Sequence, residues 1–267
     1  MDYLLVCIVA LVAGGLTLFT GFGLGTLLLP ALLPFFPPPV AVAATAIVHL
    51  ANNLFKLALV GKWADWAVAM KFGLPAIAGA AVGAALLDVM AGLDRTLASF
   101  ECAGASGAIT PVGLMIGLLV AAFAVVELAN IERAGFARTW LPLGGGISGF
   151  FGGVSGHQGA LRSAFLISLG LDKNAFIGTA AVCSTMVDVT RLLVYVLGAI
   201  GLAGLGRADY GVVDRRSWSL VAAACVAAFA GSFVGSRLVK KITLRHVRRV
   251  VGAGLLIIGL AMAAGLL

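Results

Sequence analysis

The feature that most constrains this chain is a succession of long apolar segments that carry almost no charge. A transmembrane helix needs about 20 mostly apolar residues to cross a hydrocarbon core of about 30 Å, and every one of these segments is long enough. The sequence therefore predicts eight membrane segments, at residues 3–36, 40–60, 66–90, 102–126, 141–170, 174–200, 217–239 and 247–267.

The composition excludes other classes of protein. Hydrophobic residues make up 61% of the 267 residues and charged residues only 11%, against about 25% charged residues in soluble domains. The net charge of +7 is assigned to cytoplasmic loops, where Lys and Arg accumulate, and not to nucleic-acid binding. Four cysteines without C-x-x-C spacing indicate neither a metal site nor a disulfide framework. The predicted fold class is all-α, a polytopic membrane helical bundle.

The first and fifth segments are too long for one perpendicular span, and both contain clusters of glycine. Glycines either let helices pack closely or mark a discontinuous helix. Because both clusters fall in the two over-long segments, we favour the second interpretation. The predicted helix-break residues are Gly21, Gly23, Gly25, Gly152, Gly153 and Gly156.

The two halves of the chain resemble each other, which predicts an N-terminal repeat over residues 1–130 and a C-terminal repeat over residues 131–267. At an offset of 131, Gly14, Gly15, Phe19, Gly21 and Gly25 fall on Gly145, Gly146, Phe150, Gly152 and Gly156. An internal repeat of this kind is typical of secondary transporters. Four full spans in each half would make the halves parallel. Broken segments that dip in and return would leave three spans and make the halves inverted, and the sequence allows both.

Basic residues predict the orientation. The loop at residues 237–249 contains six Lys and Arg residues and no acid, so the positive-inside rule predicts that it is cytoplasmic. With eight full spans, both termini would lie outside. The basic residues on that opposite face would be Lys62, Arg133, Arg138, Arg207, Arg215 and Arg216. The expected location is the bacterial plasma (inner) membrane.

Several polar residues lie inside apolar segments, where an ionisable group costs several kcal/mol and suggests a functional site. The second segment holds His49, Asn52, Asn53 and Lys56 on one helical face, and the sixth holds Asp188 and Arg191. Lys56 and Arg191 match at an offset of 135, so we expect them to face a shared cavity. The structural alternatives are a snorkelling Lys56 and a neutral Asp188–Arg191 pair.

The fifth segment continues with Ser155, His157, Gln158 and Arg162. If a half-helix begins near Gly156, its free N–H groups and these side chains suit an oxyanion. Lys56, Arg162 and Arg191 are opposed only by Asp188 in this count, which favours an anionic substrate. The expected substrate-binding residues are His49, Asn52, Asn53, Lys56, Ser155, His157, Gln158, Arg162, Asp188 and Arg191.

An enzyme is the competing class. Residues 153–156 read G-x-S-G, the nucleophile motif of rhomboid proteases, but such a serine needs a histidine base. The distant downstream candidate, His246, lies in the basic loop. We therefore expect no catalytic residues, no metal and no cofactor.

The ordered motifs of this chain resemble the TauE/SafE sulfite exporter family. They are Gly21-Phe-Gly-Leu-Gly-Thr-Leu-Leu-Leu-Pro30 followed by Ala44-Thr45, and their repeat, Gly152-Gly-Val-Ser-Gly156 followed by Gly178-Thr179. The resemblance implies about eight segments in two repeats and gradient-driven transport of sulfur-containing or other organic anions. Leu161 is a departure, since it stands where the first repeat has Pro30.

We therefore expect a secondary transporter of a small anion, sulfite or an organosulfonate, bound between the repeats and moved by alternating access. An anion channel and an intramembrane protease are the alternatives. The expected partners are the lipid bilayer, the anion, a coupling proton or cation and, in a homo-oligomer, further copies of the chain; no nucleic acid is expected.

Overall fold

The computed structural model describes residues 2–20, 23–93, 95–102, 105–129, 136–201, 215–238 and 244–266. Over these residues the chain forms ten α-helices and one two-stranded hairpin. The helices are α1 (Asp2–Thr20), α2 (Leu24–Leu32), α3 (Pro38–Val60), α4 (Trp66–Ala91), α5 (Pro111–Ala129), α6 (Leu141–Ser155), α7 (Gly159–Ile167), α8 (Lys173–Ala199), α9 (Arg215–Leu238) and α10 (Leu244–Ala263). This helical bundle confirms the predicted fold class.

Length and hydropathy suit the bundle to a membrane. Among the described residues, four helical stretches are long and apolar enough to cross a bilayer: Pro38–Trp63, Trp66–Ala91, Lys173–Ala199 and Ser217–Gly235. Helices α1, α5 and α10 contain shorter apolar stretches. A helix satisfies its backbone hydrogen bonds internally, as the lipid interior requires. Two helices also carry side-chain caps: Asp65 Oδ1 accepts from Val68 N, and Asp172 Oδ1 accepts from Asn174 N.

The predicted fourth segment begins as a β-hairpin and not as a helix. Strands β1 (Ala98–Cys102) and β2 (Ala105–Ile109) pair antiparallel, with Phe100 opposite Gly107. The small residues of this stretch are apolar on average, and composition alone does not separate a short apolar strand from a helix. Gly107 leaves room for the Phe100 ring, which would collide with a side chain at that position.

Helix directions follow from contacts at the two ends of the bundle. Helix α3 ends and α4 begins where Trp63, Trp66 and Trp140 are exposed; we call this the Trp end. The β-hairpin lies at the opposite end, the hairpin end. Helix α8 also starts at the Trp end, since Asp65 N donates to Thr179 Oγ1 over 2.9 Å.

Helices α6 and α7 form a hairpin that enters from the Trp end and returns to it. Helix α6 runs parallel to α4, with Gly145 against Phe72 and Gly153 against Ala80. The chain then turns, and Phe136 N, just before α6, donates to Ser168 Oγ, just after α7, over 2.9 Å. The broken fifth segment is therefore re-entrant.

Helices α1 and α2 form a second re-entrant pair of helices, which enters the bundle from the hairpin end, where the β-hairpin lies. Helix α10 finishes there, because Ala108 N donates to Gly265 O over 3.1 Å, so α9 runs towards the Trp end. Tyr3 OH lies 2.5 Å from Ser219 Oγ, which sets the start of α1 beside the start of α9. Helix α2 ends just before α3, which also starts at the hairpin end. This leaves α3–α5 and α8–α10 as the helices that run from end to end.

The helix breaks lie at one glycine in each hairpin. Gly23 has φ 119° and precedes α2, and Gly156 has φ 81° and follows α6. Positive φ is open to glycine but strained for other residues. Gly25, Gly152 and Gly153 instead lie within helices, where the absence of a side chain permits close contact between helices. Gly21 lies outside the described residues.

Candidate functional site

The centre of the bundle is organised around one buried carboxylate, Asp188 in α8. Its Oδ2 accepts hydrogen bonds from His49 Nδ1 at 2.7 Å and Asn53 Nδ2 at 2.8 Å, both from α3. Its Oδ1 accepts from Gln158 Nε2 at 3.2 Å and from Arg191 Nε and Nη2 at 3.1 and 2.8 Å. Asp188 and Arg191 are fully buried. The carboxylate therefore joins α3, α8 and the break between α6 and α7.

Arg191 also holds this break in place. Its Nη1 donates to Gly152 O over 3.3 Å, and an added Cβ at Gly156 would lie 2.7 Å from the same nitrogen. Tyr195, one turn further along α8, donates from its hydroxyl to Gly153 O. Arg191 is thus occupied by an internal carboxylate and by the Gly152 carbonyl near the end of α6, which also accepts from Gly156 N.

Two other buried cations face a small pocket. Lys56 from α3 is 3% exposed and Arg162 from α7 is 2% exposed. Asn53 lies beside them in the pocket wall. The rest of the lining is one hydroxyl and an apolar surface: Thr17, Phe176, Ile177, Ala180 and Ala181. The pocket thus places two cations against a largely apolar wall, nearer the Trp end.

The two cations are held differently. Arg162 Nη1 donates to Gln158 Oε1 over 3.1 Å, and Gln158 in turn donates to Asp188. Within the described part of the chain, the Lys56 ammonium has neither a hydrogen-bond acceptor nor an ion-pair partner. A buried ammonium of this kind is costly unless an anion approaches it.

Sequence reasoning missed a second buried acid. Asp88, near the end of α4, is fully buried and packs against Gly198 of α8 at the hairpin end. Its position inside the third apolar segment was the available signal. Lys56, Arg162 and Arg191 are therefore opposed by two buried carboxylates and not by Asp188 alone, and the excess charge remains positive.

Ser155 and His157 do not line the pocket. The His157 ring stacks on Phe123 of α5, with centroids 5.3 Å apart, and its Nδ1 lies 3.0 Å from Ser155 Oγ. Ser155 Oγ donates its hydrogen to Phe151 O over 3.2 Å. Since that hydroxyl has a single hydrogen, it accepts from His157 Nδ1, so His157 acts as a donor here and not as a base.

Asn52 also lies away from the pocket. Ser232 Oγ of α9 is 2.7 Å from Asn52 Oδ1 and 3.0 Å from Gly14 O of α1. This contact ties α3 to α9 and α1. Of the ten predicted binding residues, Asn53, Lys56 and Arg162 line the pocket, whereas His49, Gln158, Asp188 and Arg191 form the hydrogen-bonded cluster behind it.

This architecture, with re-entrant hairpins and charged residues buried among apolar helices, is that of a polytopic membrane transporter. The family model described as Sulfite exporter TauE/SafE matches residues 6–262, so the chain belongs to the TauE/SafE sulfite exporter family. No curated protein and no solved structure matches it. Members of this family transport sulfur-containing anions across membranes and are not enzymes, which also answers the protease alternative.

Proposed function

We propose that this protein is a secondary transporter of sulfite or an organosulfonate and that the anion binds in the pocket lined by Lys56, Arg162 and Asn53. The observation that carries the proposal is the burial of two cations at one pocket, while the nearest described carboxylate, Asp188, is bonded to Arg191 and His49. The positive charge of Lys56, which has no ion-pair partner among the described residues, is left for a ligand.

The three side chains suit a sulfur oxyanion. The planar guanidinium of Arg162 can hold two oxygens of a sulfonate or sulfite together, and the ammonium of Lys56 acts as a compact point charge. Charge-assisted hydrogen bonds of this kind are about twice as strong as neutral ones. The apolar side of the pocket, formed by Phe176, Ile177 and two alanines, suits the organic part of a sulfonate.

We further propose that residues 1–130 and 131–267 are duplicated halves of inverted orientation. The support is that the described residues of each half form five helices in the same order, with re-entrant hairpins that enter from opposite ends. Contacts are also reciprocal: α4 packs along α6, and α1 packs along α9. Inverted repeats support alternating access, in which one half rocks against the other around a central site.

The charge of the connections supports a cytoplasmic Trp end in the bacterial plasma membrane. Re-entrant hairpins bring Lys62 and Arg138 to the same end as the end of α9 and the start of α10, unlike the eight-span alternative. Among the described residues, the connections and helix ends at the Trp end contain seven basic and two acidic residues, whereas those at the hairpin end contain three basic and one acidic. The counted residues are 61–65, 136–140, 168–173, 237–238 and 244–249 at the Trp end, and 92–93, 95–102, 105–110 and 215–216 at the hairpin end.

Flux in proteoliposomes tests the proposed function. Proteoliposomes that contain the wild-type protein are loaded with unlabelled anion. The rates at which labelled sulfite, sulfonates, sulfate and carboxylates enter them are then compared. We expect saturable exchange of sulfite or a sulfonate that is accelerated by anion on the opposite side, since a carrier returns faster when loaded. A conductance without such acceleration would indicate a channel, and exchange of carboxylates alone would refute the proposed substrate class.

The matched variants are Lys56→Gln and Lys62→Gln. Lys62 lies exposed at the Trp end with its ammonium 4.4 Å from the centre of the Trp63 ring. We expect Lys56→Gln to lose exchange and Lys62→Gln to retain it. An equal loss of exchange in both variants would mean that exchange depends on positive charge near the entrance and not on the buried site.

A further inference from the structure

We propose that the coupling ion is a proton, which His49 binds and releases within its ion pair with Asp188. This inference rests on the proposed function and names what drives the anion. His49 and Asp188 are both buried, and they come from α3 and α8, which belong to different halves of the chain. A proton on this pair therefore acts on the contact between the halves that alternating access must change.

The hydrogen bonds fix which nitrogen can take the proton. Asp188 Oδ2 lies 2.7 Å from His49 Nδ1, so the ring directs its Nδ1–H at the carboxylate. Asn53 Nδ2, 3.1 Å from the same ring nitrogen, is itself a donor and bonds to Asp188 Oδ2. The lone pair of the neutral ring is then on Nε2.

The step moves one proton from the water on one side of the membrane to the water on the other side. On one side of the membrane, water or hydronium gives a proton to Nε2, a new N–H bond forms and the ring becomes an imidazolium. The Nδ1–H bond to Asp188 persists and stabilises the added charge. After the halves change their contact, the Nε2–H bond breaks and the proton leaves to water on the other side.

The charges around His49 link this step to the anion. Asp188 favours the imidazolium, while Arg191 on α8 and Lys56 on α3 oppose it. The described side chains of α2, α5 and α9 that pack on α3 add no acidic or basic group at this level; α9 contributes Ser232 and Phe229.

An anion in the pocket would offset the charges of Lys56 and Arg162, and so would strengthen proton binding at His49. Linkage makes this reciprocal, so that the proton also strengthens anion binding. Asn53 provides a physical connection, because it lines the pocket and bonds to Asp188. The anion and the proton therefore bind cooperatively.

Proteoliposomes with the voltage clamped at zero by valinomycin and equal K⁺ test this proposal. The probes are labelled sulfite and labelled methanesulfonate, whose own charge is fixed near neutral pH. For one proton per anion, a gradient of one pH unit should drive about tenfold accumulation in the wild type. His49→Gln should lose this accumulation. His246→Gln, the matched histidine control at the start of α10, should accumulate as the wild type does.

The outcomes separate the two proposals. Exchange by the wild type without any response to the pH gradient overturns the proton step alone, as does gradient-driven accumulation by His49→Gln. The absence of exchange of any sulfur anion by the wild type overturns the proposed function and this inference with it. A pH dye trapped in wild-type vesicles gives a test that needs no variant: methanesulfonate flux should shift internal pH, and flux without a shift overturns the proton step.

Discussion

Gly25 of α2 packs directly against the backbone of Gly156, so that an added Cβ at position 25 would lie 2.8 Å from the Gly156 carbonyl oxygen. The broken regions of the two re-entrant hairpins therefore meet inside the bundle. Gly156 in turn contacts Arg191, which is bonded to Asp188. A chain of contacts thus runs from the first hairpin to the buried cluster behind the pocket.

Gly25→Ala should destabilise the protein because backbone has to move to admit the methyl group. Overpacking of this kind costs about 1–3 kcal/mol, and we expect a lower midpoint of thermal unfolding in detergent. Gly254→Ala in α10 is the matched control, since an added Cβ there meets nothing within 4 Å. It should leave the midpoint unchanged or raise it, because alanine favours helix by about 1 kcal/mol over glycine. Equal midpoints for Gly25→Ala and the wild type would refute the close contact.

Asp188→Asn should destabilise the fold far more than a matched change at the surface. Removing one member of a buried ion pair costs about 3–5 kcal/mol, because the partner charge stays buried; here Arg191 and the His49 contact lose their carboxylate. Asp65→Asn is the control, since asparagine also caps helices well. Thermal unfolding of the two variants provides the measurement. Similar midpoints would contradict the central role of Asp188.

Lys56→Cys, in a variant without the native cysteines, should react with a small water-soluble thiol reagent, and methanesulfonate should slow the reaction. The reason is that position 56 lines the pocket. Leu193→Cys is the control, because Leu193 is 59% exposed on an apolar outer surface of α8 and should react slowly in lipid. Reaction at position 193 but not at 56 would contradict the accessibility of the pocket from water.

The sequence predicts the helical class, the segment order and the presence of a break in each over-long segment. Glycine clusters carry that information, because only glycine tolerates both positive φ and backbone contact between helices. A glycine cluster does not show which glycine serves which purpose. In the structure Gly152 and Gly153 are packing residues, whereas Gly156 forms the break. Segment length alone also leaves open whether α1–α2 and α6–α7 cross or return, since both contain enough apolar residues for a span.

The sequence indicates which polar residues lie inside the membrane segments. It does not indicate which of them line the pocket and which form the hydrogen-bonded cluster behind it. Helical periodicity predicts His49, Asn52, Asn53 and Lys56 on one face. It cannot show that Asn52 turns to Ser232, His49 to Asp188 and Lys56 to the pocket. That division depends on the antiparallel register of α3 and α8, which is a tertiary property. Likewise, Arg191 matches Lys56 in sequence, but the carboxylate one helical turn away keeps it out of the shared cavity that the match suggests.

Equilibrium binding of labelled sulfite and methanesulfonate to purified protein tests the central claim most directly, with wild type compared with Arg162→Lys. Lysine keeps the charge but loses the fork that holds two oxygens. We predict that Arg162→Lys weakens binding at least about tenfold, a change of about 1.4 kcal/mol, while its thermal unfolding midpoint stays near that of the wild type. Unchanged affinity of Arg162→Lys for the anion that the wild type binds would contradict the claim that Arg162 and Lys56 form the anion site.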